Sequence, residues 1–273
     1  MSDAREDASK YISQTVQIVL RNAEQPTSLY RTSAFIIDDH TLITSAHTFG
    51  AFHVKVTDFA WKPAFELLEI SILDAWGKEI FRTVTNFHSF LNGMNPSISV
   101  FSAVDPFKLM NHLTIDYIHH DFALVKLHDN SFSNLTGGPI ATIKPEIKFP
   151  EPNTKFYTLG YSQPSGNLKL HATVFDVDSE FSILNSKQVN VFMRFSGKYP
   201  GLIYNSHGDS GGPLIWIDQN KKPHFVGIVT AGIVTERYIE NYFTSFADAK
   251  IINLFYNHNI ATIPDYRCNS ATK

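Results

Sequence analysis

The sequence predicts an all-β protein. Short apolar runs rich in Val, Ile, Leu and Phe recur along the 273 residues, and Gly, Pro, Asn and Asp turns separate them. The composition, 43% hydrophobic and 18% charged, allows a substantial core and has no signature of disorder. Because all-β folds of this length often form one large domain, we expect barrels or sandwiches of short strands.

The strands are predicted where β-branched and aromatic residues cluster between turn signals. The first strand, 15–20, follows a polar leader whose residues 2–13 suit a short helix capped by Ser2. Near the end of the chain, residues 248–258 carry their apolar side chains at helical spacing, which predicts a helix. The other predicted strands are 33–37, 41–44, 68–73, 98–101, 122–127, 155–159, 173–177, 189–195, 214–217 and 225–231.

The segment that begins at His207 is the most informative part of the chain. It reads His-Gly-Asp-Ser-Gly-Gly-Pro-Leu and leads into an apolar run. Glycines on both sides of Ser210 let the backbone turn tightly, so the hydroxyl and the neighbouring N–H groups can face one point. An enzyme that catalyses acyl transfer needs this combination of a nucleophile and preorganised hydrogen-bond donors for a developing oxyanion.

Two further segments accompany this string. The letters TSAH end at His47, and the letters DFALVKL begin at Asp121. With the string around Ser210 they resemble the three signature segments of the chymotrypsin-like serine proteases, in the chain order His, Asp, Ser. The resemblance implies a serine endopeptidase built from two six-stranded Greek-key β-barrels of the chymotrypsin type, with a C-terminal helix.

The resemblance implies a role for each of these residues. Ser210 would be the nucleophile, His47 the general base and then the acid, and Asp121 the group that orients the imidazole. The backbone N–H groups of Gly208 and Ser210 would form the oxyanion hole. The implied substrate is a protein or peptide, and neither a cofactor nor a metal is expected.

The spacing of the three segments departs from the template at one place. Asp121 lies 89 residues before Ser210, close to about 93 in the chymotrypsin template. His47 lies 74 residues before Asp121, against about 45 in the template. An insertion of about thirty residues therefore falls between residues 50 and 118. Its aromatic side chains would form either an exosite for one protein partner or additional core: Phe52, Phe59, Trp61, Phe65, Trp76 and Phe81.

The domain organisation follows from the same comparison. It predicts a leader over 1–14, a first barrel with the insertion over 15–128, a second barrel with the helix over 129–258, and a tail over 259–273.

The resemblance also implies where a substrate would bind. Tyr204, six residues before the nucleophile, would lie at the base of the specificity pocket. Thr230, Ala231 and Gly232 would pair with the substrate backbone and form one wall, and Glu240 would fall on another wall. A filled pocket favours small residues, whereas a reachable Glu240 favours basic ones, and both alternatives stay open.

Charge and cysteine content narrow the class of protein. The formal net charge of −3 and the lack of a Lys/Arg run exclude a nucleic-acid footprint, and no segment is apolar enough to span a membrane. The one cysteine, Cys268, permits no intrachain disulfide, as in bacterial-type members of the family. Thr48 and Ser206 occupy places where secreted animal members carry cysteines.

The first residues lack a signal-peptide pattern, so a cytoplasmic location is expected, with signal-independent delivery as the alternative.

Asp209 raises the question of activation. In zymogen-derived members of the family this aspartate would pair with a newly freed N-terminus. No Ile-Val-Gly-Gly-like start lies at the corresponding distance before His47. We therefore expect folding itself to set the oxyanion donors and to supply a fixed donor or cation to Asp209, since an unpaired buried carboxylate is costly.

Three alternatives complete the sequence-based expectations. A protease-like binding or chaperone module would keep the three residues while hydrolysis is incidental. A narrowly specific processing enzyme or effector would use the insertion as an exosite. A metal site at His119 and His120 is disfavoured, because adjacent residues of a strand point to opposite faces.

Overall fold

A computed structural model describes residues 11–25, 29–57, 60–106, 120–140, 143–148, 155–161, 171–175, 180–186, 190–197, 208–234 and 239–264. Within these residues the structure is dominated by strands. Two short 3₁₀ helices, Ile12–Gln14 and Ala46–Gly50, and three α-helices accompany them. The strands are β1 (Thr15–Asn22), β2 (Leu29–Ile36), β3 (Thr41–Thr44), β4 (His53–Thr57), β5 (Ala60–Pro63), β6 (Leu67–Leu73), β7 (Glu79–Asn86), β8 (Ile98–Ser102), β9 (Ala123–Leu127), β10 (Lys155–Gly160), β11 (His171–Phe175), β12 (Glu180–Ser186), β13 (Asn190–Gly197), β14 (Pro213–Ile217), β15 (Pro223–Val234) and β16 (Ile239–Ser245). The helices are α1 (Phe87–Leu91), α2 (Phe132–Thr136) and α3 (Ala249–Asn257).

Two antiparallel sheets contain most of the strands. The first sheet has the order β7-β6-β1-β2-β3-β9-β8, and the second has the order β11-β10-β14-β15-β16-β13-β12. In each sheet the two edge strands follow one another in the chain: α1 lies between β7 and β8, and residues 176–179 lie between β11 and β12. Because chain neighbours occupy the two ends of each order, both sheets curl so that their edges approach.

In the part of the chain that the structure describes, each sheet has seven strands, and the two edge strands of each sheet follow one another in the chain. The predicted all-β class with two sheets and a C-terminal helix is confirmed.

Strands at the junction between the sheets are buried on both faces. In β9 the side chains of Ala123, Val125 and Leu127 belong to the core of the first sheet, whereas Leu124 belongs to a core shared with the second sheet. The same alternation occurs in β2, β3 and β14. Successive side chains of a strand point to opposite faces, so two-sided burial produces the continuous apolar runs seen in the sequence.

The C-terminal helix completes the shared core. Asp248 caps α3 by accepting hydrogen bonds from the N–H groups of Lys250, at 2.9 Å, and Ile251, at 3.3 Å. Phe255 of this helix and Phe246 before it lie edge-on against Phe122, with ring centroids 5.4 and 5.9 Å away. The helix therefore packs directly on the residue that follows Asp121.

The insertion contributes mainly to the core. The hairpin of β4 and β5 forms a separate two-stranded sheet. Phe52 and Phe65, at the base of this hairpin, pack edge-on at 5.1 Å against each other and against the first core, and Phe81 is buried. Trp76 differs, since it is 77% exposed. The side chains of Phe59 and Trp61 lie outside the described residues.

The structure bears in part on two expectations, the lack of a membrane-spanning segment and the limits of the domains. No helix in the described ranges has both the length and the apolar character that crossing a membrane requires. Phe132, Leu135 and Ile140 pack on the first core, although they follow residue 128. The predicted domain limits themselves stay a prediction, and the predicted helix at 2–13 lies almost entirely outside the described residues.

Replacing Phe246 by Ala should destabilise the protein strongly. Phe246 is fully buried and contacts Phe122, Phe225 and Phe255. The cavity should lower the free energy of unfolding by about 3–5 kcal/mol. The matched control is Tyr256→Ala on helix α3, at a side chain that is 83% exposed, with an expected change within about 0.5 kcal/mol. Equal effects of both variants in denaturant titrations would contradict this packing.

Candidate active site

The register between β3 and β9 brings His47 and Asp121 together. Thr44 pairs with Ala123 in an antiparallel ladder, so the residues after Thr44 run beside the residues before Ala123. His47 lies in the 3₁₀ helix that follows β3, and Asp121 lies two residues before β9. Because the two segments leave the sheet side by side, residues 74 positions apart in the chain become neighbours.

His47 and Asp121 form two hydrogen bonds. Nδ1 of His47 lies 2.6 Å from Oδ2 of Asp121, and the backbone N–H of His47 donates to Oδ1 at 2.8 Å. The carboxylate is almost completely buried. Burial of the ring opposes its charged form, but the charge and hydrogen bond of Asp121 outweigh this effect and raise the pKa of His47 above its ordinary value. Tyr30 lies near this pair, and burial together with the charge of Asp121 raises the pKa of its phenol.

The loop around Ser210 is tightly folded against the first sheet. Gly208 and Gly211 have φ angles of +99° and +83°, in the region that favours glycine. A Cβ on Gly211 would collide with the carbonyl oxygen of Ser33 and the hydroxyl of Thr44. The glycine is thus required both by the backbone conformation and by the close approach of β2 and β3.

Ser210 is held through its backbone carbonyl. The carbonyl oxygen accepts hydrogen bonds from the N–H of Ser33, at 2.9 Å, and from Oγ1 of Thr32, at 2.6 Å. The Ser210 hydroxyl donates to the carbonyl of Thr230 at 3.3 Å. Within the described ranges this hydroxyl makes no hydrogen bond to His47. The structure thus joins His47 to Asp121 directly, and it joins Ser210 to β2 and β15.

Buried hydroxyl groups connect the Ser210 loop with the turn of His47. Oγ1 of Thr48 donates to Oγ1 of Thr32 at 3.3 Å and lies 3.0 Å from Oγ of Ser45. All three side chains are fully buried. Thr48, at one of the places where secreted animal members of the family carry a cysteine, is therefore part of a hydrogen-bonded chain. Ser206, at the other place, lies outside the described residues.

Ser33 makes a second set of contacts with the same loop. Its Oγ donates to the carbonyl of Gly208 at 2.7 Å and accepts from the N–H of Tyr161 at 2.9 Å. Sequence reasoning missed Thr32 and Ser33. Their only signal is that two adjacent hydroxyl residues interrupt the otherwise apolar second half of β2.

Asp209 is buried, with an exposed fraction of 1%. Its carboxylate lies directly against Gly160, at the end of β10, where a Cβ would collide with Oδ1. The backbone carbonyl of Asp209 accepts a hydrogen bond from the N–H of Gly212 at 2.9 Å. The expected internal donor or cation for the side chain stays a prediction.

The residues predicted for substrate binding lie on β15 beside this loop. Val229, just before them, exchanges hydrogen bonds with the backbone of Gly211 and Gly212. Thr230 lies at a bulge, and its hydroxyl is 2.6 Å from the hydroxyl of Thr244. Ala231 and Gly232 continue β15 and pair with β16.

The other predicted pocket residues are only partly described. The backbone of Glu240 lies in β16, between β15 and β13. Tyr204 lies outside the described residues.

The side chain of His120 lies beside the carboxylate of Asp248. Its Nδ1 lies 3.2 Å from Oδ2 of Asp248, the cap of α3, and both side chains are buried. This contact links the segment of Asp121 to the C-terminal helix. His119 lies outside the described residues.

Comparisons with solved structures show the fold. An inactivated protease paralogue of the scabies mite has a TM-score of 0.52 at 16% identity, over 92% of this chain and 95% of that chain. The protease Anisep from Arthrobacter nicotinovorans has a TM-score of 0.51 at 12% identity, over 93% and 98%. Human heparin binding protein has a TM-score of 0.50 at 14% identity, over 94% and 96%.

The comparison of sequences identifies the family. No curated protein matches the chain. The family model described as Trypsin matches residues 91–251, which is more than half of the chain and includes Asp121 and Ser210. The chain has the fold of these proteases, and its single cysteine leaves it without an intrachain disulfide. It belongs to the trypsin family of peptidases.

Proposed function

We propose that this protein is a serine endopeptidase in which Ser210, His47 and Asp121 form the catalytic triad. The observation that carries the proposal is the 2.6 Å contact between Nδ1 of His47 and the buried carboxylate of Asp121. A proton on Nδ1 donates to the carboxylate, so Nε2 remains unprotonated in the neutral ring. The imidazole is thereby held as a base, in the orientation that this chemistry requires.

The proposed reaction proceeds in two halves. The Ser210 hydroxyl turns from Thr230 towards His47, and Nε2 takes its proton while Oγ bonds to the carbonyl carbon of the peptide. The C–N bond then breaks, and the leaving amine takes that proton from His47. In the second half a water molecule gives a proton to Nε2 and attacks the acyl-enzyme, and Oγ leaves with the proton.

The loop also supports an oxyanion hole at Gly208 and Ser210. In the parts of the chain that the structure describes, no group accepts a hydrogen bond from the backbone N–H of either residue. Two donors that remain available beside the nucleophile can stabilise the negative oxygen of the tetrahedral intermediate.

The position of β15 supports a peptide as substrate. Residues 213–217 of β14 pair with the first part of β15, and this pairing ends at Ile228. From Ala231 to Val234, β15 pairs with β16. An extended peptide could add to the other edge of this stretch by main-chain hydrogen bonds. Thr230, Ala231 and Gly232 are the residues that we propose for this contact.

A binding module is the second candidate function. It is favoured by one observation: the Ser210 hydroxyl donates to Thr230 and not to His47. The similar folds include both a protease described as inactivated and a protein named for heparin binding. The fold therefore does not decide between hydrolysis and binding, and a chemical test of Ser210 does.

Labelling with a fluorophosphonate probe tests the nucleophile. The wild-type protein should react at Ser210 and hydrolyse peptides, and Ser210→Ala should lose both activities while its fold is retained. The matched control is Ser99→Ala, because Oγ of Ser99 is hydrogen-bonded to a histidine, at 2.8 Å from Nε2 of His128, but lies outside the three signature segments. Active-site labelling and peptide mapping by mass spectrometry give the result. A wild-type chain that does not react would favour the binding module.

Asp121→Asn should lower turnover by about 10⁴-fold, because the amide stabilises the wrong tautomer of His47. The structure and the Michaelis constant should change little. Steady-state kinetics with a peptide substrate measure this effect. Turnover close to wild type would mean that another group orients the imidazole.

The pH dependence tests the same pair. In the wild type, the NMR titration of the His47 ring should give a pKa above the ordinary value of about 6.5. In Asp121→Asn the pKa should fall below that value, since only the burial effect remains. Because the pKa of His47 is raised in the folded state, its protonation stabilises the protein at pH values below the ordinary pKa. This stabilisation is lost as the pH rises through the raised pKa. Asp121→Asn should therefore destabilise the protein more at pH 5 than at pH 9, and the opposite order would contradict the assignment.

A further inference from the structure

We propose that the β2 hydroxyl pair, Thr32 and Ser33, is the positioning device that sets the N–H of Ser210, one of the two oxyanion donors in the Ser210 loop. This inference rests on the proposed function. Under this proposal, two residues of the first sheet hold the conformation of a loop that precedes β14 in the second sheet. Neither residue contacts the reacting atoms, so both act through the backbone of the loop.

The pair contacts the loop on both sides of Asp209. Before it, the carbonyl of Gly208 accepts from Oγ of Ser33 at 2.7 Å. After it, the carbonyl of Ser210 accepts from Oγ1 of Thr32 at 2.6 Å and from the N–H of Ser33 at 2.9 Å. Both side chains are fully buried, so water does not compete for these three hydrogen bonds.

Because peptide groups are planar, these contacts fix the two planes on either side of the one that carries the N–H of Ser210. The carbonyl of residue 208 lies in one plane with the N–H of Asp209, and the carbonyl of Ser210 lies in one plane with the N–H of Gly211. The intervening plane carries the N–H of Ser210. Its carbonyl, from Asp209, is held by the N–H of Gly212 at 2.9 Å. All three successive planes are thus held, two of them by the β2 hydroxyl pair.

Each hydroxyl of the pair is also tied to a second part of the site. Oγ of Ser33 accepts from the N–H of Tyr161, the residue after Gly160, against which the carboxylate of Asp209 lies. Oγ1 of Thr32 accepts from Thr48, the residue after His47. The pair therefore connects the oxyanion loop with the support of Asp209 and with the turn that carries the base.

This arrangement has a consequence for activation. The contacts that orient the loop come from β2, which is already a central strand of the first sheet. Docking of the two sheets is then sufficient to set the N–H of Ser210, and a newly freed amine is not needed for this step.

Ser33→Ala is the direct test. It removes the hydroxyl that holds the carbonyl of Gly208, so kcat and the rate of fluorophosphonate labelling should fall about 10- to 100-fold. That is a smaller loss than the removal of an oxyanion donor itself, which costs about 10²–10³ in kcat. The Michaelis constant and the NMR titration of His47 should stay as in the wild type. The matched control is Ser71→Ala, a buried serine of the same sheet that is bonded to Glu79 at 2.8 Å.

The outcomes separate this proposal from the proposed function. If Ser33→Ala reacts within twofold of Ser71→Ala, the positioning role is wrong. If Ser33→Ala unfolds more readily than Ser71→Ala, the isosteric Thr32→Val provides the comparison, with the same expected loss. If the wild type itself does not react, the proposed function fails, and amide hydrogen exchange then tests the positioning. Faster exchange of the Gly212 N–H, which donates to the carbonyl of Asp209, in Ser33→Ala than in Ser71→Ala would support it, and equal exchange would overturn it.

Discussion

The contact between the two curled sheets is the interaction on which the rest of this structure depends. The strands at this contact are buried on both faces, and the large aromatic side chains Phe35, Phe122 and Phe225 fill the space between the sheets. The first sheet brings His47 and Asp121 to the contact, and the second brings the loop of Ser210. A shift of one sheet against the other would move His47 away from Ser210, so the packing of the core determines the geometry of the candidate site.

Among the described residues at this contact, the hydroxyl groups of Thr32, Thr44 and Thr48 are buried, where hydrogen bonds are strong and unsatisfied groups are costly. Thr44 donates to the carbonyl of Ser33, and the hydroxyls of Thr32 and Thr48 follow in the same layer. These short-range, directional bonds give the contact its register, which apolar packing alone specifies only loosely. In a chain with a single cysteine, they provide a link between the His47 turn and β2 that needs no covalent bond.

The sequence was sufficient for the elements whose signal is local. The runs at 122–127 and 214–217 are strands because two-sided burial leaves no polar positions in them, and Asp248 caps the final helix as its side chain predicts. The strands β4, β5, β7, β12 and β16 were not predicted, since polar residues interrupt their apolar ones, although each of them pairs with a strand that adjoins it in the chain. The motifs indicated His47, Asp121 and Ser210 as candidates because the signal lies in short stretches of sequence. The supporting pair Thr32 and Ser33 became visible only with the tertiary contacts, because its partners lie 178 and 175 residues away.

Helix α1 and the hairpin of β4 and β5 also indicate where a fold of this kind can change in length. At α1, between β7 and β8, the hydrogen-bond ladder is already broken, so added residues there disturb no strand pairing. The hairpin of β4 and β5 is likewise a separate sheet beside the main one. Both lie between His47 and Asp121 in the chain, and neither takes part in the register of β3 with β9 that brings these two residues together. New surface can therefore accumulate close to the candidate site without any alteration of that register.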